Sequence, residues 1–156
     1  MTGLAANNNY YYGGGRSGRD NRNTGREQPE PVRAEVLPQD YVDQAENVMR
    51  DVLNQKGAIT TSKIRNLLSL VTDIYNTENL RTEETLLPES ETGLMMMRIR
   101  TAYECGRDQG TKYFVQKAKL LQYLKGIGHS RSELIRFAHY MEALVAYHRY
   151  FGGREN

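Results

Sequence analysis

The sequence predicts an all-α protein, in which residues 38–156 form a small five-helix antiparallel bundle behind a disordered N-terminal tail, residues 1–37. Apolar residues recur at helical spacing in every segment after residue 38. No segment shows the alternation of apolar and polar residues that is typical of a strand, and Gly and Pro do not interrupt the apolar stripes. A length of 156 residues agrees with one such domain, and short connections favour antiparallel neighbours.

The tail is recognised by its composition. Residues 1–26 hold six Gly, five Asn and four Arg, together with the cluster Tyr10–Tyr12. Such a segment buries too little apolar surface to offset the entropy of ordering it. We interpret it first as a solubilising tail. Loose contact with single-stranded RNA is the alternative, since Arg, Gly and Tyr suit that role.

The first two helices are placed by their caps and apolar faces. The first is predicted over 40–56, where Asp40 is a good N-cap and a Gly follows the last turn. The second is predicted over 61–77, where Thr60 caps the helix and Ile64 begins a stripe of apolar residues at helical spacing. Each helix therefore has one face that must be covered by a neighbour.

Three more helices follow a loop. They are predicted over 90–107, 111–126 and 131–151, with Pro88 opening the first and Ser130 beginning a capping box in the last. The final helix is apolar on nearly all sides, which is typical of a central helix or of one at an interface. We expect an interface with a partner or a second copy.

The charge is nearly balanced overall but unevenly placed. The chain has 21 Lys and Arg against 19 Asp and Glu, a net charge of +2, which excludes a protein that coats nucleic acid by bulk charge. Residues 38–75 sum to −1, residues 76–97 to −4 and residues 98–156 to +6. The second half therefore carries either a local basic surface or an ordinary solvated one.

One stripe of the third predicted helix has the composition of a nucleic-acid contact. Met96, Arg100, Tyr103 and Arg107 share a face at 100° per residue. Basic side chains interleaved with an aromatic ring can contact phosphates and stack on a sugar or base. The alternative is an amphipathic flank, whose Met and Tyr pack against a neighbouring helix.

Further basic candidates lie on two other helices. Lys63 is in a first helical turn, where backbone N–H groups also attract anions; Lys56 could join it, and Arg65 borders the other edge of the stripe. Lys117 lies inside an apolar arc, where it must snorkel or reach an anionic partner, and Lys119 projects from the opposite side. Solvated surface lysines are the alternative throughout.

The sequence offers no catalytic constellation. His129, His139 and His148 fall in no known catalytic or metal-binding motif, and Cys105 is the only cysteine, so neither a disulfide nor a zinc-finger ligand set is possible. We expect no enzyme activity, no cofactor and no metal. A helical nuclease would be revived only if the fold placed His139 or His148 beside an Arg and a carboxylate. Without a transmembrane run or signal-peptide core, we expect a cytoplasmic protein that does not contact membranes.

Three segments together resemble a known family. They are ITTSKIRNLLSLVTDIYN (59–76), RIRTAYECGRDQGTKYFVQKAKLLQYLK (98–125) and FAHYMEALVAYHRYFGGRE (137–155). In this order they resemble the small subunit of type III-A CRISPR effector complexes, and the likeness covers residues 40–155. The type III-B small subunit is an alternative, against which the Y-x-x-G-R and FGGR segments argue.

The resemblance implies a helical bundle without catalytic activity of its own. In that family several copies stack head to tail beside the backbone subunits that carry the guide RNA, and they contact mainly the backbone of the target RNA. The implied partners are therefore guide and target RNA, the backbone subunits, the large polymerase-like subunit and further copies of the chain. Cleavage and nucleotide synthesis belong to other subunits.

The resemblance also supports particular RNA-contacting residues. It supports the six positions Lys63, Arg65, Arg100, Arg107, Lys117 and Lys119, to which surface reasoning adds Lys56 and Arg136. The alternative is an all-α adaptor that makes protein contacts only. The two hypotheses differ in whether Lys63, Arg65, Arg107 and Lys117 converge on one surface. The sequence departs from the family pattern in its long tail and its long acidic connection, residues 78–91.

Overall fold

The computed structural model describes residues 30–155, which are all-helical apart from one isolated bridge between Thr85 and Ser130. The predicted all-α class is confirmed, but residues 30–155 form six helices rather than five. They are α1 (Tyr41–Leu53), α2 (Thr61–Asn79), α3 (Pro88–Arg107), α4 (Gln109–Ala118), α5 (Leu120–Ile127) and α6 (Arg131–Tyr150). Residues 1–29 of the predicted tail, and Asn156, lie outside the described residues.

The extra helix arises because the predicted fourth helix, 111–126, is broken at Lys119. This residue adopts left-handed backbone angles, φ 54° and ψ 38°, so that α4 ends before it and α5 begins after it. The hydroxyl of Tyr140 donates to the carbonyl of Ala118 at 3.0 Å, which satisfies an acceptor at the break. Neither Gly nor Pro marks the position, and a tertiary contact therefore decides it.

The segment before α1 belongs to the helical unit that begins at Pro31. The amide of Glu35 donates to the carbonyl of Gln122 at 3.0 Å, and Lys125 Nζ donates to the carbonyl of Val32 at 2.7 Å. A Cβ at Gly126 would collide with the carbonyl oxygen of Glu35, so this close approach requires glycine. Leu37 is buried in the core. Residues 31–37, which were included in the predicted tail, therefore pack along α5.

The core is built around α6, which packs against α1, α2 and α5. Its buried residues include Leu134, Phe137, Tyr140, Met141 and Leu144, whereas Ala146 and Tyr150 on the other face are exposed. A central position accounts for much of the apolar character of this helix, and the expected interface with a partner or a second copy stays a prediction.

The bundle is not antiparallel throughout. Arg136, near the start of α6, lies over the ring of Tyr41 at the start of α1. Arg50, near the end of α1, lies over the ring of Phe151, just after the end of α6. The two helices therefore begin on the same side of the bundle, and α1 runs parallel to α6. Thr61, at the start of α2, contacts residues beyond the end of α6, so α2 runs antiparallel to α6.

Two connections fix the ends of α2. At its start, the amide of Thr61 donates to the carbonyl of Arg154 at 2.8 Å. Nearby, the buried His148 ring donates through Nε2 to the carbonyl of Ile59, 2.8 Å away. At the other end, the fully buried carboxylate of Glu78 accepts from the amide of Leu87 at 2.9 Å and from Arg81 at 2.6 Å. The acidic connection is thereby tied to α2.

Candidate nucleic-acid interface

A groove between α2 and α3 is the clearest concave surface with a basic lining, and we call it the α2–α3 groove. Its volume is about 460 Å³. Both helices contribute polar side chains to its walls, and the start of α4 closes one end. The lining residues are Lys63, Asn66, Leu67, Ser69, Leu70, Arg100, Glu104, Arg107 and Thr111. Three of the predicted RNA-contacting cations, Lys63, Arg100 and Arg107, therefore come together here from two different helices.

Lys63, in the first turn of α2, forms an ion pair with Asp108. Its Nζ lies 2.9 Å from Oδ1 of Asp108, and both side chains are partly exposed. Asp108 is the N-cap of α4, where its other carboxylate oxygen accepts from the amide and hydroxyl of Thr111, each at 2.8 Å. The hydrogen bond from Lys63 is the main reason that the pKa of Asp108 lies below its ordinary value, with Thr111 adding to the effect.

The α3 side of the groove carries an exposed cation and an exposed aromatic ring. The guanidinium of Arg107 lies 5.5 Å from the centre of the Tyr103 ring, and its NH1 is 3.4 Å from Oε1 of Glu104. Tyr103 is 61% exposed and Met96 53% exposed. The alternative that this stripe packs against a neighbouring helix is therefore wrong within the described residues. Arg100 lines the groove and makes no ion pair with any residue in 30–155.

A second groove adjoins the first, and Lys63 lines both. We call it the α1–α2 loop groove; its volume is about 590 Å³. Lys56 and Arg154 border it, and the backbone from Gly57 to Thr60 forms part of its wall. Lys56 thus lies next to Lys63, as the sequence suggested, although it lines a different groove.

Four of the predicted RNA-contacting residues lie outside both grooves. Arg65 is exposed on the side of α2 that faces away from Lys63, since two residues along a helix rotate the side chain by about 200°. Lys117 snorkels to Asp51, with Nζ 3.9 Å from Oδ2, and is 46% exposed. The convergence that would separate an RNA contact from a pure adaptor is therefore partial: Lys63 and Arg107 meet, whereas Arg65 and Lys117 do not join them.

The other two have structural partners. Lys119 pairs with Glu35, Nζ to Oε2 at 3.1 Å, and so holds the segment before α1. Arg136 is half-buried and donates through NH2 to the carbonyls of Leu37 and Pro38, at 2.8 and 2.9 Å. Its NH1 also contacts the carboxylate of Glu133 at 2.9 Å. Most donors of the Arg136 guanidinium are therefore occupied within the chain.

Sequence reasoning missed three residues of this region. Arg154 borders the α1–α2 loop groove because the C-terminal backbone is bonded to the start of α2, a contact that spans 93 residues. Glu104 and Asp108 place two carboxylates against the α2–α3 groove. Asp108 could have been found as an N-cap, since a Thr stands three residues later. Its contact with Lys63 could not.

Within residues 30–155, neither His139 nor His148 contacts both an Arg and a carboxylate, the arrangement that would revive the nuclease alternative. His148 is buried against backbone, and His139 packs beside the Tyr75 ring, with centroids 5.7 Å apart. His129 is exposed and contacts the carboxylate of Glu91. Burial raises the pKa of the Cys105 thiol, which lowers its reactivity. Residues 30–155 contain no group of three or more His, Cys, Asp or Glu side chains that could hold a metal ion.

No helix within the described part of the chain is both long enough and apolar enough to cross a membrane.

Comparison with known proteins gives one consistent result. A family model described as Csm2 Type III-A matches residues 36–154, which include all six helices. The CRISPR system Cms protein Csm2 of Mycobacterium tuberculosis (strain CDC 1551 / Oshkosh) is 39% identical over 122 residues, covering 77% of this chain and 98% of that protein. The Streptococcus thermophilus protein of the same name is 38% identical over 123 residues, again covering 77% and 98%. The Enterococcus italicus protein is 28% identical over 97 residues, covering 61% and 69%.

Proposed function

The chain belongs to the Csm2 family of type III-A CRISPR systems and is a small subunit, and from this premise we propose that it is a non-catalytic, RNA-contacting part of a cytoplasmic RNA-guided effector complex. The family match sets aside the type III-B alternative. In the proposal, the α2–α3 groove lies along the backbone of target RNA paired to a guide. The observation that carries it is the meeting of Lys63, Arg100 and Arg107, from two helices, beside the exposed ring of Tyr103.

The chemistry of the groove suits a partner of variable sequence. Where base pairing between guide and target supplies the sequence recognition, the protein does best by contacting backbone and helix shape. Long cationic side chains reach phosphates without reading bases, and an exposed ring can stack on any sugar or base. A nearly neutral chain with three such cations binds RNA weakly. Several copies aligned on one RNA bind it much more tightly together, because each bound copy raises the effective concentration of RNA at the next.

The distribution of charge supports stacking of copies head to tail. Exposed acidic residues gather near the α2–α3 connection, where Glu83, Glu84 and Glu89 lie. Near the start of α2, at the opposite end of that helix, Lys56 and Arg154 are exposed. Unlike ends attract one another, and a contact between two different surfaces propagates into a filament instead of closing as a dimer.

The adaptor alternative is favoured by one other feature. An apolar groove of about 410 Å³ lies between α3 and α5, and the exposed side chains of Met95 and Ile99 line it. Exposed apolar surface of this kind is typical of protein contacts. A chain that used only this surface would belong to the complex without touching RNA.

The deciding experiment compares target-RNA binding by assembled complexes that contain Lys63→Ala, Arg100→Ala or Arg107→Ala. Each groove variant should weaken target binding by about 1 kcal/mol or less per copy, because exposed charge contacts are individually small. We expect Arg100→Ala to have the largest effect, since Arg100 breaks no ion pair when it binds a phosphate.

Arg50→Ala is the control, because it removes the same charge from α1, where Arg50 lines neither groove, and it should leave binding unchanged. Equal affinity of all four variants and the parent complex, measured by titration of labelled target RNA, would move the assignment to the adaptor. Co-purification of guide RNA and several copies of the chain with its genomic neighbours tests membership of the complex independently.

A further inference from the structure

Two of the three cations in the α2–α3 groove already have a carboxylate partner. Lys63 Nζ is 2.9 Å from Asp108, and Arg107 NH1 is 3.4 Å from Glu104. Glu104 lines the α2–α3 groove, and Asp108 lines the adjoining α1–α2 loop groove, which shares Lys63 with it. Arg100 alone of the three has no ion pair within residues 30–155. The net positive charge that the groove offers to a phosphate is therefore much smaller than its content of Lys and Arg.

The fold holds both carboxylates at the groove. Asp108 is the N-cap of α4, so its hydrogen bonds with Thr111 keep it in place even when Lys63 moves away. Glu104 precedes Arg107 by three residues on α3, a spacing that places the two side chains side by side on a helix. Each carboxylate therefore stays beside its cation when a phosphate enters the groove, and it competes with that phosphate for the cation.

We infer that Asp108 and Glu104 are specificity-determining residues, which compete with RNA phosphates for Lys63 and Arg107 and so keep a single copy from holding RNA by itself. The inference rests on the proposed function of the groove. A phosphate must displace a carboxylate at two of three positions, and the displaced carboxylate then repels it. Stray RNA that meets one copy is released quickly, whereas RNA that spans several aligned copies is retained by their combined contacts.

The exposure of these pairs sets the size of the effect. Lys63 is 45% and Asp108 31% exposed, and Arg107 and Glu104 are 61% and 35% exposed. Ion pairs with this much solvent contact are weak, so each competing carboxylate should reduce RNA affinity by about twofold to fivefold. A variant that lacks both carboxylates should show the two gains in RNA affinity combined, because the two acids pair with different cations.

The test uses the purified full chain and a short fluorescein-labelled single-stranded RNA of mixed sequence. Asp108→Asn keeps the N-cap of α4, because Asn caps helices as well as Asp does. Glu104→Gln keeps a good helix former in α3. Each variant should bind the RNA about twofold to fivefold more tightly than the parent chain, with a steeper dependence on salt, because more cations are available to displace counterions.

Glu46→Gln is the control, since Glu46 pairs with Arg50 on α1 at 3.0 Å, an equivalent intrahelical pair that lines neither groove. It changes the net charge by the same amount and should leave affinity within the error of the parent chain. Thermal unfolding shows that each variant is folded before its affinity is interpreted.

Three results would overturn the inference. If Lys63→Ala weakens RNA binding but neither Asp108→Asn nor Glu104→Gln strengthens it, the groove binds RNA and the carboxylates do not compete. If Glu46→Gln tightens binding as much as the other two, only bulk charge is at work. If Lys63→Ala, Arg100→Ala and Arg107→Ala all leave binding unchanged, the proposed function fails, and the inference fails with it.

Discussion

Glu78 is a fully buried carboxylate whose ionised form is stabilised by its surroundings. Burial by itself opposes ionisation and raises the pKa. Hydrogen bonds from Ser90, from the amide of Leu87 and from Arg81 outweigh it, so that the pKa lies below its ordinary value. A lowered folded pKa means stability that is present above the unfolded pKa and is lost as pH falls through the folded one.

Replacement of this residue should therefore change both the stability and its dependence on pH. Glu78→Gln should lower the free energy of unfolding at neutral pH by about 1.5–3 kcal/mol, because hydrogen bonds to a charged group are lost. Below the ordinary carboxyl pKa the difference from the parent chain should shrink. Urea unfolding at neutral and acidic pH measures both effects.

Glu89→Gln is the control for this change, since Glu89 is exposed in the first turn of α3. A constant difference between Glu78→Gln and the parent chain at every pH would show that folding does not change the pKa of this carboxyl. A small difference at all pH values would show that its hydrogen bonds contribute little.

At the scale of single residues, the site was predictable where helix periodicity decides. Arg100, Tyr103 and Arg107 share a face because of the spacing of an α-helix, and Tyr103 is in fact exposed with the cations around it. Arg136 was not predictable, because its acceptors are backbone carbonyls of Leu37 and Pro38, nearly a hundred residues away. Long-range partners of this kind leave no local signal.

Among the helices, the predicted caps were right at α2 and α6 but not at α1, where Asp40 makes no side-chain capping bond and the helix ends at Leu53 and not at the predicted 56. Thr60 and Ser130 cap α2 and α6 as predicted, each accepting a hydrogen bond from the amide three residues on. The start of α4 lies at Gln109, two residues before the predicted 111, because Asp108 is its N-cap. The break at Lys119 was missed, since local propensity favours one continuous helix and the contacts that oppose it come from elsewhere in the fold.

The left-handed backbone at Lys119 leads to a prediction about the α4–α5 junction. A residue with a Cβ is strained at φ 54°, whereas Gly is not. Lys119→Gly should therefore be more stable than Lys119→Ala by about 1 kcal/mol, measured as the free energy of urea unfolding of the full chain. Both variants lose the ion pair with Glu35, so that loss cancels in the comparison. An Ala variant as stable as the Gly variant would indicate a continuous helix in solution.

Across the whole molecule, charge separation is the property that bears on assembly. The proposed head-to-tail stacking brings the acidic end with Glu83 and Glu84 to the end with Lys56 and Arg154. Surface charges are screened as the Debye length falls from about 10 Å at 0.1 M salt to about 3 Å at 1 M. Self-association of the full chain, followed by sedimentation, should therefore weaken as salt is raised.

A pair of charge reversals separates this attraction from general repulsion. Glu84→Lys alters the acidic end and should weaken self-association at low salt. Glu142→Lys makes the same change on α6, away from both ends, and should have a smaller effect. Self-association that strengthens with salt would assign the contact to apolar surface, and an equal response to both variants would assign the effect to general charge repulsion.

The position of α6 has a consequence for how the chain folds while it is synthesised on the ribosome. This helix is the last of the six in chain order, yet α1, α2 and α5 all pack on it. Until it has left the ribosome, the apolar faces that the earlier helices turn toward it are uncovered, and the start of α2 still lacks the backbone of Arg154. The core therefore cannot form helix by helix during synthesis, and its exposed apolar faces are open to chaperones until α6 has emerged.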